Sequence, residues 1–505
     1  MISPPASAPP PVEPEITPGE QQVGRRVLVN TGALAGSSLW RIAISFVLQV
    51  FIARQLDIPG VGIYNAALAY LNVGQVISEI GLPSLLVRNL AQHPQQRRAL
   101  YFMSLRLQVG MALVVWAGLA AFALLLEPTS RLALWIVGAS LPFYAVTSTT
   151  QTIFRAAERM ELIMGVEWVI NAVILGMSLA VLFAGGDILA LVGVLVAAQA
   201  LSAAICAGLL QRSGLLQGPQ THAPLVLGEL WGQAMPFFRL SIADVLLQRL
   251  DILLLTLLGG EVVTGIYSLA YNLVRVLTKL VQSFWQALYP TFSRLYHHRD
   301  RKYAVLAQLG LRYGLIALLP AAALSAAVAP DLLPFIFSTD YQESASVYRI
   351  LVWQAPLLFI ASYASTLLMV QRHPKASLVI ASAHIVTLLI LLPLLTRWAE
   401  ADGAAWASLI AGAMGTLAGL ALIRRHRVPL AFAIEGAPGG LLLLVAAVLV
   451  GLFTTRLLPL PWLPAAAAGG LLYLALIWRL GVFSPQDIQQ FRRALRQPES
   501  APPPE

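Results

Sequence analysis

The segment VVTGIYSLAYNLVRVLTKLVQSFWQALYP, residues 262–290, decides how the chain is read. A helix of this length is long enough to cross a bilayer's hydrocarbon core of roughly 30 Å, at about 1.5 Å per residue. Its polar residues are not scattered. At about 100° per residue, Asn272, Arg275, Lys279, Gln282 and Gln286 share a wedge of about 80°. A charge at the centre of a bilayer costs roughly 2.5–3.5 kcal/mol on insertion scales, so it faces a protein interior or a wet cavity. The segment therefore reads as a membrane helix with one face turned away from lipid.

The rest of the chain agrees. Of its 505 residues 58% are hydrophobic and 11% charged, against roughly 25% charged in a soluble domain. Apolar runs such as Leu113–Leu126, Val181–Leu210 and Leu441–Leu452 recur. In lipid every backbone polar group must be paired internally, and long unalternating runs satisfy that as helices. The fold expected is all-α and polytopic. Fourteen spans are predicted, near 27–53, 60–85, 101–126, 131–154, 161–184, 188–211, 228–258, 262–290, 303–329, 347–371, 375–396, 403–424, 438–456 and 461–480, with twelve as the next choice because the final pair is flanked by proline.

Charge placement tests that count. With the N-terminus inside, 21 of the 33 Lys and Arg residues fall in inside loops and 5 in outside loops, as the positive-inside rule demands. The net charge of +9 thus reports topology, and no nucleic-acid partner is expected. Residues 1–24 are rich in proline, without the basic start and apolar core of a signal peptide, and read as a disordered cytoplasmic tail. After Ser484-Pro485-Gln486-Asp487, a helix-start signal, Ile488, Phe491 and Leu495 share a face. Residues 481–505 thus read as an amphipathic cytoplasmic tail, lying on an anionic leaflet or simply solvated. Cys206 is the single cysteine and sits in an apolar run, so it reads as a packing residue. Neither a metal site nor a cofactor is expected.

The chain also repeats itself. Gly62-Ile63-Tyr64 opens span two as Gly265-Ile266-Tyr267 opens span eight, an offset of 203 residues. Under that offset Ser38 pairs with Ser241, Arg41 with Asp244, Ser45 with Gln248, Asn72 with Arg275 and Glu79 with Gln282. Six spans lie in each copy and both start on the same side, so the repeat is parallel, an arrangement found in secondary transporters with the substrate site between repeats. The domains expected are a first lobe over 25–212, a second over 225–427, and two added spans over 438–480.

Polar stripes recur on the repeat-related helices: Ser38, Arg41, Ser45 and Gln49 on span one; Asn65, Asn72, Gln75 and Glu79 on span two; Ser241, Asp244, Gln248 and Asp251 on span seven. Polar packing between helices is the plainer explanation, but five polar groups including two cations on span eight exceed what packing needs. Arg239 and Arg249 project from the other side of span seven, where salt bridges within a lobe or snorkelling account for them as well as substrate contact does. Glu167 and His384 lie on repeat-related helices five and eleven and are candidates for ion coupling, together with Asp244, Asp251 and Glu79.

Three segments carry a resemblance. Asn30-Thr31-Gly32-Ala33 through Phe51-Ile52-Ala53-Arg54-Gln55-Leu56 resembles the first span of the polysaccharide flippases. Gly60-Val61-Gly62-Ile63-Tyr64-Asn65-Ala66-Ala67 with Gly81-Leu82 resembles their second, and Gly265-Ile266-Tyr267-Ser268-Leu269-Ala270-Tyr271 fits as well. These flippases belong to the multidrug/oligosaccharidyl-lipid/polysaccharide exporter superfamily, and the resemblance covers roughly residues 25–480. It implies two six-helix lobes around a central cavity lined by spans one, two, seven and eight. It also implies alternating access for a lipid-linked glycan carrying a pyrophosphate. Asp244 in the cavity stripe is a departure from the arginine-rich lipid II flippases of the superfamily.

The substrate-binding residues expected are Arg41, Arg275, Lys279, Asn72, Gln282 and Asp244, with membrane lipid and a polyprenyl-(pyro)phosphate-linked glycan as partners and polysaccharide biosynthesis enzymes nearby. The location expected is the cytoplasmic membrane with both termini inside. Three other classes compete, one of them a structural scaffold, which would not need a polar cavity. A multidrug or small-cation exporter of the same fold would use Asp244, Asp251 and Glu79 as cation sites. A membrane enzyme acting on polyprenyl-linked sugars would need acidic or metal-binding residues on large outer loops, and the longest, about 329–346, offers only Asp331, Asp340 and Glu343. The cationic stripe favours an anionic substrate, so a transporter rather than an enzyme is expected.

Overall fold

The computed structural model describes residues 41, 43–217, 227–297, 302–373, 375–426 and 461–479. The tail readings over 1–24 and 481–505, and the span predicted near 438–456, lie outside the described residues.

The architecture is all-helical, with no strand among the described residues. A short first helix, α1 (Ala43–Gln55), leads into α2 (Ile58–Glu79) and α3 (Leu82–Gln92). Then come α4 (Arg97–Phe122), α5 (Pro128–Gly138), α6 (Leu141–Ala156), α7 (Met160–Phe183) and α8 (Ile188–Ser213). The second half holds α9 (Leu227–Leu258), α10 (Gly260–His297), α11 (Lys302–Ile336), α12 (Ser344–Leu351), α13 (Gln354–Val370) and α14 (Lys375–Arg425). One further helix, α15 (Trp462–Arg479), follows.

Among the described residues seven helical stretches are long and apolar enough to cross a membrane. The chain is a multi-pass membrane protein. The predicted spans 375–396 and 403–424 appear as the single run α14, broken where Ala399 and Glu400 leave helical geometry.

Local chemistry sets the helix ends. Asp57 caps α2 by accepting from the Gly60 amide, and Pro59 stands in the first turn, where its missing N–H costs nothing. The same helix stops at Ile80 and Gly81, both left-handed. Gly81 is required twice over, because a Cβ there would also stand 2.6 Å from the Ala234 carbonyl oxygen of α9.

The two halves meet in a reciprocal crossing. A Cβ on Gly62 would lie 2.0 Å from the Glu261 carbonyl oxygen, and a Cβ on Gly265 would lie 2.2 Å from that of Ile58. The second contact is the first moved by the 203-residue offset, the signature of a two-fold relation. Only glycine lets the backbones approach this closely. At this end, predicted to be the outer one, the halves share one apolar core that includes Val61, Ile63, Ile266, Tyr267 and Leu351.

Four hydrogen bonds join the halves here: Ser130 Oγ to Glu261, Tyr341 Oη to the Leu56 carbonyl, Tyr70 Oη to the Leu253 carbonyl, and Asn272 to Asn65. Arg54 adds two more, capping the end of α11 at the Phe335 and Ile336 carbonyls. Toward the opposite end the core divides in two, one part built from Leu82, Leu85, Phe154 and Leu210 together with Ala234 of α9, the other from Trp285, Phe292, Phe359 and Tyr363. The candidate site sits where the shared core gives way to that of the second half, between Val274 and Leu388 on one side and Leu358 and Ile380 on the other.

α15 packs on α11. Pro320 inside α11 cannot donate to the Ile316 carbonyl, which is left open. Tyr473 Oη of α15 donates to that oxygen at 2.8 Å, in a buried bond.

Candidate functional site

A cavity of about 160 Å³ lies among α9, α10, α13 and α14. Its walls carry Asp244, Gln248, Asp251, Arg275, Lys279 and His384. The resemblance implies a central cavity lined by spans one, two, seven and eight. This one is walled by the second half alone, and Arg41 is not among its lining residues.

The long polar face of α10 supplies Arg275, Lys279 and Gln282. The Lys279 ammonium donates to the side-chain carbonyls of Gln248 and Gln282, each at 3.1 Å. Gln248 in turn donates to Asp244 at 2.9 Å, and its backbone carbonyl accepts from Tyr271 Oη at 2.6 Å. Asp244 therefore acts on the cation through an amide rather than by direct pairing. Arg41 and Arg249 both exert their charge on Arg275 and on Lys279. Two carboxylates, Asp244 and Asp251, share the cavity wall with Arg275 and Lys279, and among the described residues none of the four cations makes an ion pair.

Arg249, for which a salt bridge within the lobe, snorkelling and substrate contact were all open, does not line the cavity and makes no ion pair among the described residues.

Asp251 is separate from the cations in contact but not in space. It is 5% exposed. One carboxylate oxygen accepts from Tyr267 Oη at 2.6 Å and the other from the Ile252 amide at 2.8 Å. Tyr267 also shares a 2.8 Å hydrogen bond with Ser408 of α14. Tyr267 and Ser408 were not singled out from the sequence. Tyr267 belongs to the repeated Gly-Ile-Tyr motif, which marked its position but not its partner.

The other expected residues do not line the cavity. Asn72 on α2 donates to the Leu68 carbonyl of its own helix. Glu79 accepts from Tyr144 Oη at 2.8 Å and Ser148 Oγ at 2.6 Å, both on α6 of the first half. Glu167 lies half-buried on α7. The α2 stripe is thus divided: Asn65 bonds across the halves, whereas Glu79 bonds within its own. Among the described residues no group of three His, Cys, Asp or Glu side chains is arranged to hold a metal ion.

The fold is shared with lipid and drug transporters. The lipid II flippase MurJ in an inward-closed conformation superposes with a TM-score of 0.66 at 12% identity, over 89% of this chain and 99% of that one. An inward-facing multidrug resistance MATE family transporter of the MOP superfamily gives 0.59 at 12% identity, over 77% and 96%. The MATE transporter VcmN of Vibrio cholerae gives 0.54 at 14% identity, over 80% and 98%. No curated protein sequence matches the chain. Residues 27–296 match the polysaccharide biosynthesis protein family, and the chain belongs to that family.

Proposed function

We propose that the protein translocates a lipid-linked oligosaccharide or polysaccharide precursor across the cytoplasmic membrane by alternating access between two lobes, about 25–212 and 225–427, and that it is a transporter rather than an enzyme. The observation that carries this reading is the pair Arg275 and Lys279 on the cavity wall, neither with an ion pair among the described residues. Unpaired cations at membrane depth are costly, and an anionic ligand offsets that cost. Arginine suits a phosphate or pyrophosphate through its bidentate fork, while lysine acts as a point charge. Family membership and the likeness in fold to a lipid II flippase support the same reading.

Both termini lie on the cytoplasmic side in this reading. The head group sits against the arginines, the lipid chain remains in the bilayer, and enzymes of polysaccharide assembly supply and remove the substrate. Asp251 with His384, and Glu79 in the first half, are the groups proposed for ion coupling, with Asp244 holding Lys279 in place. The test is the Arg41→Ala, Arg275→Ala double variant, which should insert normally and lose transport.

A second reading, export of organic cations, is favoured by the carboxylates Asp244 and Asp251 on the cavity wall and by the MATE-like fold. Loss of the two arginines would leave such export intact.

A further inference from the structure

The repeat that relates the two halves breaks at the inner end of α10. Under the 203-residue offset Leu82 answers to Trp285 and Leu85 to Leu288, and all four are buried. The register therefore holds there. Leu86 and Leu90 are buried in the core of the first half, but their counterparts Tyr289 and Ser293 are exposed, Tyr289 by 37%. Pro83 answers to Gln286, which is exposed as well.

These three residues continue the face that carries the candidate site. Arg275, Lys279, Gln282, Gln286, Tyr289 and Ser293 follow one another at spacings of four and three, so they share one side of the helix. Toward the outer end of that side Asn272 bonds Asn65 of the first half, so the side is turned toward the space between the halves. The buried side, with Val281, Trp285, Leu288, Phe292 and Leu295, packs into the core of the second half.

From Gln282 to Ser293 the face carries no charge. The amides of Gln282 and Gln286 and the hydroxyl of Ser293 can each donate and accept. Pro290 adds an acceptor, because it has no N–H for the Gln286 carbonyl. Among the described residues no side chain closes that gap as Tyr473 closes the one left by Pro320. Tyr289 adds a flat ring with a polar tip. Neutral donors and acceptors beside an exposed ring match a ligand with hydroxyl groups at its edge and C–H groups on its faces, which is a sugar. A lipid tail has no use for the amides and the open carbonyl, and an organic cation meets no carboxylate here.

We propose that Gln286, Tyr289 and Ser293 form a subsite for the uncharged glycan, which lies along α10 from the head group at Arg275 and Lys279 toward the inner end. This rests on the reading of those two cations as the head-group site, and it adds which part of the substrate the inner end of α10 recognises. Gln286 to Ser293 spans about 10 Å of helix, so the subsite contacts more than one sugar.

The experiment uses the full chain in lipid nanodiscs and two prenyl diphosphoryl probes of equal charge, one bearing a single neutral sugar and one a neutral trisaccharide. The wild type should bind the trisaccharide probe about tenfold more tightly, as one or two added hydrogen bonds provide. Tyr289→Leu, which restores the residue of the first half, and Ser293→Ala should each lose most of that preference and keep the affinity for the single-sugar probe. Tyr289→Phe, which keeps the ring, should retain most of the preference. A photoreactive diazirine on the terminal sugar should label wild-type α10 between residues 286 and 293, a measurement that needs no variant to fold. Equal affinity of the wild type for the two probes, a preference that Tyr289→Leu leaves intact, equal loss of both probes in that variant, or labelling confined to other helices would overturn the subsite while sparing the head-group site. Failure of the wild type to bind either probe would overturn both.

Discussion

Replacing Gly62 by alanine puts a methyl group where the structure has no room. The added Cβ would sit 2.0 Å from the Glu261 carbonyl oxygen and within 3.0 Å of two further backbone atoms, Gly265 N and Glu261 C. Backbone cannot rotate aside as a flexible side chain can, so α2 and α10 must separate by over an ångström to restore ordinary contact. Overpacking of this kind costs about 1–3 kcal/mol. If the crossing belongs to one state of the transport cycle, the same energy shifts the balance of states by about 5- to 150-fold.

Gly265→Ala should do the same, because its Cβ would meet the Ile58 carbonyl oxygen at 2.2 Å. Gly110→Ala and Gly118→Ala, with nothing within 4 Å, are the controls. The readout is bridging of cysteines placed at Ser130 and Glu261 by a short bifunctional reagent, in a background lacking Cys206. Bridging should fall in both crossing variants and stay unchanged in both controls. Equal bridging in all four would show that the crossing tolerates a methyl group at both glycines.

The reciprocity of that crossing was legible in the sequence, because a repeated Gly-Ile-Tyr at a fixed offset survives in one dimension. The polar faces of α2, α9 and α10 were legible for a related reason: charge is so costly in lipid that every intramembrane cation is informative. What each face meets was not legible. Asp244 and Asp251 are seven residues apart and share a face by periodicity. Yet Asp244 bonds Gln248, whereas Asp251 is buried against Tyr267, with Ser408 of α14 beyond it. Glu79 shows the same limit, since helical angle gives a direction but not the neighbour found there.

Tyr473→Phe should lower stability by about 1 kcal/mol through loss of the bond to the Ile316 carbonyl, read as a fall in Tm. It should cost less in a Pro320→Ala background, where the helix itself supplies a donor; equal losses would show that Tyr473 does not serve the proline gap. Arg54→Ala should expose the outer seam by uncapping α11, raising labelling of a cysteine at Gln55 by an impermeant reagent, and unchanged labelling would remove Arg54 from the seam. A cysteine at His93 should be shielded from such a reagent added outside whole cells, while cysteines at Thr129 and Ala399 react. The reverse pattern would invert the proposed topology.

The central claim is that unpaired arginines at membrane depth receive the phosphate of a lipid-linked glycan. Its most direct test is flipping of a fluorescent prenyl-diphosphoryl oligosaccharide in proteoliposomes, comparing the wild type with the Arg41→Gln, Arg249→Gln, Arg275→Gln triple variant at matched protein content. The wild type should flip the probe, and the variant should fall to the background of empty vesicles. Undiminished flipping by the triple variant would contradict it.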